Sequence, residues 1–144
     1  MFTVSAMVIA VASSASHSSV RANQEPAART TGSGIYTEAQ AKRGEAVYAR
    51  ACASCHGRDL LGEGQAPSLV GKDFNAEWTD QSMDGLFERT SISMPADAPG
   101  TLKPAEVADV IAFLLNKGNF PAGQTDLPSD AAALKQIRYA APGR

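Results

Sequence analysis

The sequence is poor in the residue types that build most functional sites and most large cores. Its 144 residues include two cysteines, two histidines and one tryptophan, and aromatic residues make up only 6%. The net charge is −2, with acids and bases scattered along the chain, which argues against the basic patch of a nucleic-acid-binding protein. The apolar run at residues 2–15 is shorter than the about 20 residues that a bilayer span takes. We therefore predict one small globular domain with extensions, no nucleic-acid partner and no stable membrane span in the mature chain.

The N-terminal region differs from the rest of the chain. Residues 1–22 begin with the apolar run. They end in the sequence Val20-Arg21-Ala22, which has small residues at the two positions that a signal peptidase reads. We interpret this segment as a secretory signal peptide, which predicts a periplasmic or otherwise exported protein. No basic residue precedes Phe2, so the positively charged start of a typical signal peptide is missing. A disordered N-terminal tail is the alternative interpretation. Residues 23–36 are polar and rich in Gly, Ser and Thr, which predicts a flexible linker.

Residues 37–118 carry the patterns of about three main helices, and we find no convincing strand. Thr37 and Gln40 form a capping-box pattern for a first helix. Thr79 is placed to cap a second helix, whose buried face includes Met83. A third helix begins at Pro104, after an unusual N-cap at Lys103, and apolar residues recur along it at helical spacing. The predicted fold class is all-α.

Long loops and a C-terminal tail complete the predicted domain organisation. Residues 58–72 contain three glycines and one proline, and residues 91–101 contain two prolines, so both read as loops. Gly118 is placed to end the third helix. Residues 119–144 are predicted to form a tail that packs on the domain, with a short helix near residues 129–137 capped by Ser129.

Both cysteines lie in the segment ACASCHG, together with one of the two histidines. Cys52, Cys55 and His56 are related as i, i+3 and i+4, so one helical turn would project all three side chains in the same direction. Two thiols in this arrangement suit addition to the two vinyl groups of a haem, and the adjacent imidazole suits coordination of its iron. The spacing therefore predicts one covalently attached haem c, with Cys52 and Cys55 binding the cofactor and His56 binding the metal.

Two other chemistries use the same spacing. A C-x-x-C pair can be a redox disulfide, usually in a protein with a βαβ pattern, and such a thiol oxidoreductase would contain no iron. A structural zinc site wants four ligands, usually from two cysteine pairs or from a cysteine pair and a distant histidine pair. The chain has only two cysteines, and its other histidine, His17, lies in the predicted signal. We favour the haem and keep both alternatives open here.

A haem iron bound by His56 needs a second axial group or an open site. The candidates are Met83, which shares a helical face with core residues, and Met94, which lies in a loop directly before Pro95. The residue before a proline is held extended, which helps to present its side chain. We therefore predict Met94 as the second metal ligand. A thioether raises the reduction potential, and two filled axial positions predict an outer-sphere electron carrier, not an enzyme. If Met94 is not bound, five-coordinate iron with peroxide reactivity is the alternative.

Taken together, residues 37–118 resemble class I c-type cytochromes. The matching segments occur in the family's order: Gly44-x-x-x-Tyr48, Cys52-Ala-Ser-Cys55-His56-Gly57, Ala66-Pro67-Ser68-Leu69-Val70-Gly71, Ser93-Met94-Pro95 and the helix at residues 106–115. The resemblance implies the cytochrome c fold around one haem, with Gly44 and Tyr48 where the first and last helices cross.

The resemblance also implies two further cofactor-binding residues. The backbone carbonyl of Pro67 would accept from the ring N–H of His56, and the indole of Trp78 would donate to a haem propionate, although Trp78 as plain core is equally open. The segment at residues 94–100 and the tail are similar to small cytochrome c modules that accompany bacterial quinoprotein dehydrogenases. This likeness implies a dehydrogenase as electron donor and an oxidase or cytochrome as acceptor.

Overall fold

The structure, a computed structural model, describes residues 29–143. Six helices and one pair of very short strands make up this part of the chain: β1 (Arg29–Thr30), α1 (Glu38–Ala51), α2 (Ala53–His56), α3 (Gly71–Trp78), α4 (Met83–Ser93), α5 (Pro104–Lys117), α6 (Ala131–Leu134) and β2 (Ile137–Arg138). A 3-10 turn, Thr31–Ser33, follows β1. The prediction of an all-α fold is confirmed, and the parallel pairing of β1 with β2 adds only two residues on each side. No helix among the described residues has the length and apolar content needed to cross a membrane.

Helices α1 and α5 cross at close range and form the centre of the fold. An ideal β-carbon on Gly44 would lie 1.8 Å from the carbonyl oxygen of Asp109, so only glycine permits this approach. The ring of Tyr48 packs beside that of Phe113, with centroids 5.2 Å apart. Gly44 and Tyr48 therefore lie at the helix crossing, as the resemblance implied.

The third predicted helix is α5, and both of its predicted ends are confirmed. Lys103 is the N-cap and Pro104 the first helical residue, while Gly118 is the C-cap. A lysine side chain cannot accept a hydrogen bond from the helix N-terminus. Instead, the carboxylate of Glu106 accepts from the Lys103 amide at 2.9 Å and also pairs with Arg50 of α1. The reach of Glu106 back to the cap explains how the helix begins without a Ser or Asp cap.

The region between α2 and α4 differs from the prediction. Residues 71–78 form helix α3, although residues up to 72 were expected to be loop. Thr79 does not begin the next helix; it ends α3, where its hydroxyl donates to the carbonyl of Asn75 at 2.6 Å. Helix α4 begins at Met83, after the N-cap Ser82, and continues to Ser93, beyond the predicted loop start at residue 91. The four-residue spacing of Phe74 and Trp78, both buried, is the short helical signal in this segment.

Residues 29–36 do not behave as the flexible linker that was expected. Thr31, Ile35 and Tyr36 have no exposed surface, and the Tyr36 hydroxyl donates to the carbonyl of Phe120 at 2.7 Å. The hydrogen-bond partners of Thr31 and Tyr36 lie in the C-terminal tail, so the local polar composition gave no sign of them. The predicted signal peptide at residues 1–22 and the start of the predicted linker, residues 23–28, lie outside the described residues.

The C-terminal tail packs on the domain, held in part by Gln40. The first helix starts as predicted, because the Thr37 hydroxyl accepts from the Gln40 amide at 3.0 Å. The Gln40 side chain does not complete a capping box, since it bonds both backbone groups of Leu127, at 3.0 and 2.6 Å. The tail helix is shorter than expected and is capped by Asp130 instead of Ser129. The folded unit therefore includes residues on both sides of the predicted domain at residues 37–118.

Candidate functional site

The two cysteines and the histidine share one turn at the end of α1. Cys52 is both the C-cap of α1 and the N-cap of α2. Its carbonyl accepts from the amides of Cys55 and His56 at 3.1 and 3.0 Å. Gly57, with a φ of 76°, then ends the turn. The backbone thus closes the turn that the spacing predicted.

The environment of the Cys52 thiol does not favour thiol–disulfide exchange. Cys52 is partly buried and Cys55 is exposed. Burial raises the pKa of the Cys52 thiol to about 11, with the neighbouring Cys55 also raising it and Arg50 opposing the shift. Exchange chemistry depends on a thiolate, whose formation is favoured by a lowered pKa. This observation counts against the thiol oxidoreductase alternative.

The structure gives the zinc alternative no support either. Among residues 29–143, no group of three or more His, Cys, Asp or Glu side chains is arranged to hold a metal ion. A structural zinc site needs four protein donors. A haem brings four nitrogen donors of its own, so the protein has to supply only the axial groups.

His56 is held in one tautomer by Pro67. The Nδ1 atom of His56 lies 2.9 Å from the Pro67 carbonyl oxygen. Because a carbonyl can only accept, Nδ1 carries the proton and Nε2 keeps the lone pair that a metal requires. The ring is 8% exposed, so the surrounding residues restrict its orientation. The structure therefore contains the His56–Pro67 contact that the resemblance implied, while the role of both residues toward iron stays a prediction.

Two local features bring the Pro67 carbonyl to the histidine. Gly62 donates its amide to the carbonyl of His56 at 3.0 Å, and a β-carbon at Gly62 would lie 2.4 Å from the carbonyl oxygen of Ala66. The chain therefore folds back so tightly that residues 66–67 pass beside the histidine turn. On the other side, the Tyr48 hydroxyl donates to the Gly57 carbonyl at 2.7 Å. Tyr48 thus links the helix crossing to the turn that carries His56.

The two candidate methionines occupy different environments. Met83 has no exposed surface and belongs to the hydrophobic core. Met94 is the C-cap of α4, with an extended backbone at φ −120° and ψ 151°, and it is partly buried. A pocket of about 380 Å³ has Ala51 and Ser54 on its walls together with Pro95. The cysteine turn and the segment after Met94 therefore border the same cavity.

Trp78 carries a buried donor without an acceptor. Its side chain is 6% exposed, and its Nε1 is the one buried side-chain polar atom without a hydrogen-bond partner in the part of the chain that the structure describes. The guanidinium carbon of Arg89 lies 5.8 Å from the centroid of the ring. A buried N–H that lacks a partner costs about 1–3 kcal/mol, so an acceptor from outside the protein, such as a ligand or a water molecule, would stabilise this atom.

These residues fit a covalently attached haem. Cys52 and Cys55 offer two thiols in one turn, His56 offers a nitrogen in a fixed tautomer, and Met94 offers a soft sulfur. A haem propionate would be a suitable acceptor for the buried Trp78 indole N–H, and this role of Trp78 stays a prediction.

Comparison with known proteins agrees with this fit. Residues 39–114 match the family model described as cytochrome c oxidase, cbb3-type, subunit III. The chain belongs to this family of c-type cytochrome domains. It is 29% identical to cytochrome c-551 of Bacillus subtilis (strain 168) over 87 residues, which cover 60% of this chain and 72% of that protein.

A solved structure shares the fold. The sulfane dehydrogenase SoxCD from Paracoccus pantotrophus superimposes with a TM-score of 0.51 at 19% identity. The match covers 75% of this chain and 62% of the SoxCD chain, so this chain spans less than two thirds of its structural neighbour. At this identity the likeness establishes the fold alone. The cytochrome is a class I, mono-haem c-type cytochrome, haem c is its cofactor, and haem-based electron transfer is the activity of its family.

Sequence reasoning missed Tyr139, which contacts the helix of Trp78. Tyr139 donates its hydroxyl to the side chain of Asn75 at 2.6 Å, and its ring packs edge-on to Phe74. These residues lie more than sixty positions apart in the sequence, and no local pattern joins them. The only signal was the presence of an aromatic residue among the apolar residues of the tail.

Proposed function

We propose that this cytochrome is an exported electron carrier whose haem is attached through Cys52 and Cys55 and ligated by His56 and Met94. The observation that carries the proposal is the bond between His56 Nδ1 and the Pro67 carbonyl, formed beside both cysteines. This bond leaves Nε2 as the ligand atom, and no thiol-exchange mechanism requires it. When bound, a haem with histidine and methionine ligands supplies one-electron transfer between ferric and ferrous iron.

Each of these residues has a separate task in the proposal. The two thiols fix one edge of the cofactor beside His56. Pro67 orients the imidazole and increases its basicity, as hydrogen-bonded partners of metal ligands generally do. Met94 would contribute a neutral, soft sulfur to the iron and would leave no open position there for dioxygen or peroxide. Trp78 donates its buried N–H to a haem propionate, which would satisfy the unpaired atom.

The proposed partners are redox proteins, with a dehydrogenase as donor and an oxidase or another cytochrome as acceptor. The names of the matched family and of the structural neighbour refer to an oxidase subunit and to a dehydrogenase complex. The sequence likeness to modules that accompany quinoprotein dehydrogenases supports the same assignment. Export is supported by the signal-like residues 1–22 and by the general use of c-type cytochromes outside the cytoplasm.

The test is expression of the full chain in a host with c-haem maturation machinery. We expect haem to stay with the polypeptide after denaturation, and a potentiometric titration to fit one reversible one-electron step. Replacing either thiol, as in Cys52→Ser, should abolish two-point attachment, while the matched control Ser54→Ala in the same turn should leave it unchanged. A purified wild-type protein that loses all haem on denaturation would refute the proposed attachment.

A further inference from the structure

The chain directly after Trp78 is bound by the C-terminal tail. The Asp80 amide donates to the Tyr139 carbonyl at 2.9 Å, and the Tyr139 amide donates to the Gln81 carbonyl at 2.8 Å. The guanidinium of Arg138 donates to the Asp80 carbonyl at 2.7 Å. Asp80 has a φ of 66°, a left-handed conformation that a residue with a side chain keeps when its surroundings enforce it. The tail therefore determines the direction in which the chain leaves α3.

The side chain of Tyr139 contacts the helix itself. Its hydroxyl bonds Asn75 at 2.6 Å, and its ring lies edge-on to Phe74 with centroids 6.3 Å apart. Phe74 in turn contacts the Trp78 ring, also at 6.3 Å. Asn75 and Phe74 lie three and four residues before Trp78, on the turn that supports the indole. Tyr139 is 2% exposed, so its ring is enclosed by the core and has little freedom to move.

The tail is anchored by the N-terminal segment, which makes it a fixed support. The Thr31 hydroxyl donates to the Ala140 carbonyl at 2.8 Å and accepts from the Ala140 amide at 2.9 Å. Strands β1 and β2 pair Arg29 with Ile137 and Thr30 with Arg138. Residues from both ends of the described chain thus meet beside the turn that follows Trp78.

We propose that Tyr139 is a positioning residue for the cofactor site, and that it fixes the Trp78 indole N–H toward its acceptor through Asn75 and Phe74. The inference rests on the proposed function, in which that acceptor is a haem propionate. It assigns a task to the tail beyond covering the core. A tail that only covered the core would stabilise the whole fold and have no particular effect on the indole.

The test uses the single tryptophan of the chain, whose indole N–H gives one unambiguous signal in a nitrogen–proton correlation spectrum. We would measure the hydrogen exchange of this N–H in the ferrous holoprotein, relative to the amide of Ile111 in the core of α5. The variants are Tyr139→Phe and Asn75→Ala, which each remove the hydroxyl–amide bond from one side. Leu127→Ala is the control, because Leu127 is a buried tail residue that packs beside Gln40.

We expect both variants to accelerate hydrogen exchange of the indole N–H by about fivefold relative to the Ile111 amide, because each loses about one net hydrogen bond. In the control variant, hydrogen exchange of the indole N–H and of the Ile111 amide should accelerate by the same factor. Equal acceleration of the two signals in Tyr139→Phe and Asn75→Ala would overturn the inference and leave the tail a general stabiliser. The optical spectrum of the same samples reports Met94 separately, so a failure of the proposed ligation would be visible independently of the indole result.

Discussion

The backbone of Asp109 occupies the space where residue 44 would carry a side chain. A β-carbon at Gly44 would lie 1.8 Å from the Asp109 carbonyl oxygen and 3.0 Å from the β-carbon of Phe113. The backbone of Asp109 cannot move aside as the end of a flexible side chain can. The close crossing of α1 and α5 therefore depends on this glycine. The same crossing places Tyr48, and through it the turn that carries His56.

Replacing this glycine should separate the two helices. For Gly44→Ala we expect the free energy of unfolding to fall by about 3 kcal/mol, the upper part of the usual cost of overpacking. Denaturant titration of the holoprotein measures this change. The control is Gly85→Ala in α4, where the nearest atom outside the local chain would be 3.7 Å away. There we expect no loss, or a gain of up to about 1 kcal/mol from higher helix propensity. Equal effects at the two positions would contradict the close crossing.

The second prediction concerns the loop that delivers Pro67 to His56. Gly62 and Gly64 both have positive φ, 81° and 59°, but a β-carbon at Gly62 would collide with Ala66 while one at Gly64 would meet nothing within 4 Å. We expect Gly64→Ala to cost about 1 kcal/mol for the left-handed backbone alone. Gly62→Ala should cost about 3 kcal/mol, because the collision adds to the strain.

The two loop variants should also differ in reduction potential. Displacement of Pro67 in Gly62→Ala weakens the bond to His56, which makes the imidazole a weaker donor to ferric iron. We expect the potential of Gly62→Ala to rise and that of Gly64→Ala to stay near the wild-type value. Potentiometric titration of both proteins decides the point. A rise of the same size in Gly64→Ala would show that the change in reduction potential does not depend on the position of Pro67.

The third prediction is a loss of stability in alkali. Burial raises the pKa of Tyr48 from 10.0 to about 12, with the nearby carboxylate of Asp59 adding to the shift. Below the pKa of the unfolded chain, the hydroxyl is protonated in both states and its contribution is complete. As the pH rises from about 10 to about 12, the unfolded chain releases this proton before the folded protein does, so the free energy of unfolding falls.

Tyr48→Phe should therefore cost about 1 kcal/mol at neutral pH, for the lost bond to Gly57, and should reduce the slope of stability between pH 10 and 12. Burial also raises the pKa of Tyr36 and Tyr139, so a residual slope persists. Unfolding titrations at several alkaline pH values measure both slopes. Parallel curves of unfolding free energy against pH for the variant and the wild type would show that Tyr48 does not contribute to the loss of stability in alkali.

The histidine turn and α5 could be predicted because their signals are local. The spacing of Cys52, Cys55 and His56 by itself predicts one turn, and Pro104 and Gly118 mark the two ends of a strongly apolar helix. The cofactor followed from the same five residues, and the family comparison supports it. Where the chemically active residues and the backbone pattern share one short segment, the sequence alone predicts both the local structure and the cofactor.

The packing of residues 29–36 and of the C-terminal tail could not be predicted, because the partners of these residues are remote in the sequence. Thr31 and Ala140 exchange two hydrogen bonds across 109 positions, and no composition rule connects a Gly- and Ser-rich segment with a Pro-rich tail. Thr79 was misassigned for a related reason. A threonine hydroxyl can cap the next helix or bond to the previous turn, and the buried contacts of Phe74 and Trp78 decide between these options.

The fourth prediction concerns the attachment of the tail to α1. Gln40 is 2% exposed and bonds the N–H and the carbonyl of Leu127. Gln40→Ala leaves both backbone groups buried without partners, so we expect a loss of about 2 kcal/mol and faster proteolysis of residues 119–143. The exposed Gln65 offers the control, because Gln65→Ala should change stability by less than about 0.5 kcal/mol. Unchanged proteolysis of the tail in Gln40→Ala would show that other contacts hold it.

The central claim is that Met94 completes the coordination begun by His56, and the ferric absorption spectrum tests it most directly. A c-type haem with a thioether ligand shows a weak far-red band in the ferric state. We predict this band in the wild-type holoprotein and in Met83→Leu, which keeps the core filled, and its loss in Met94→Ala. A band that survives in Met94→Ala, or that is absent from a wild-type protein with attached haem, would contradict the assignment of Met94.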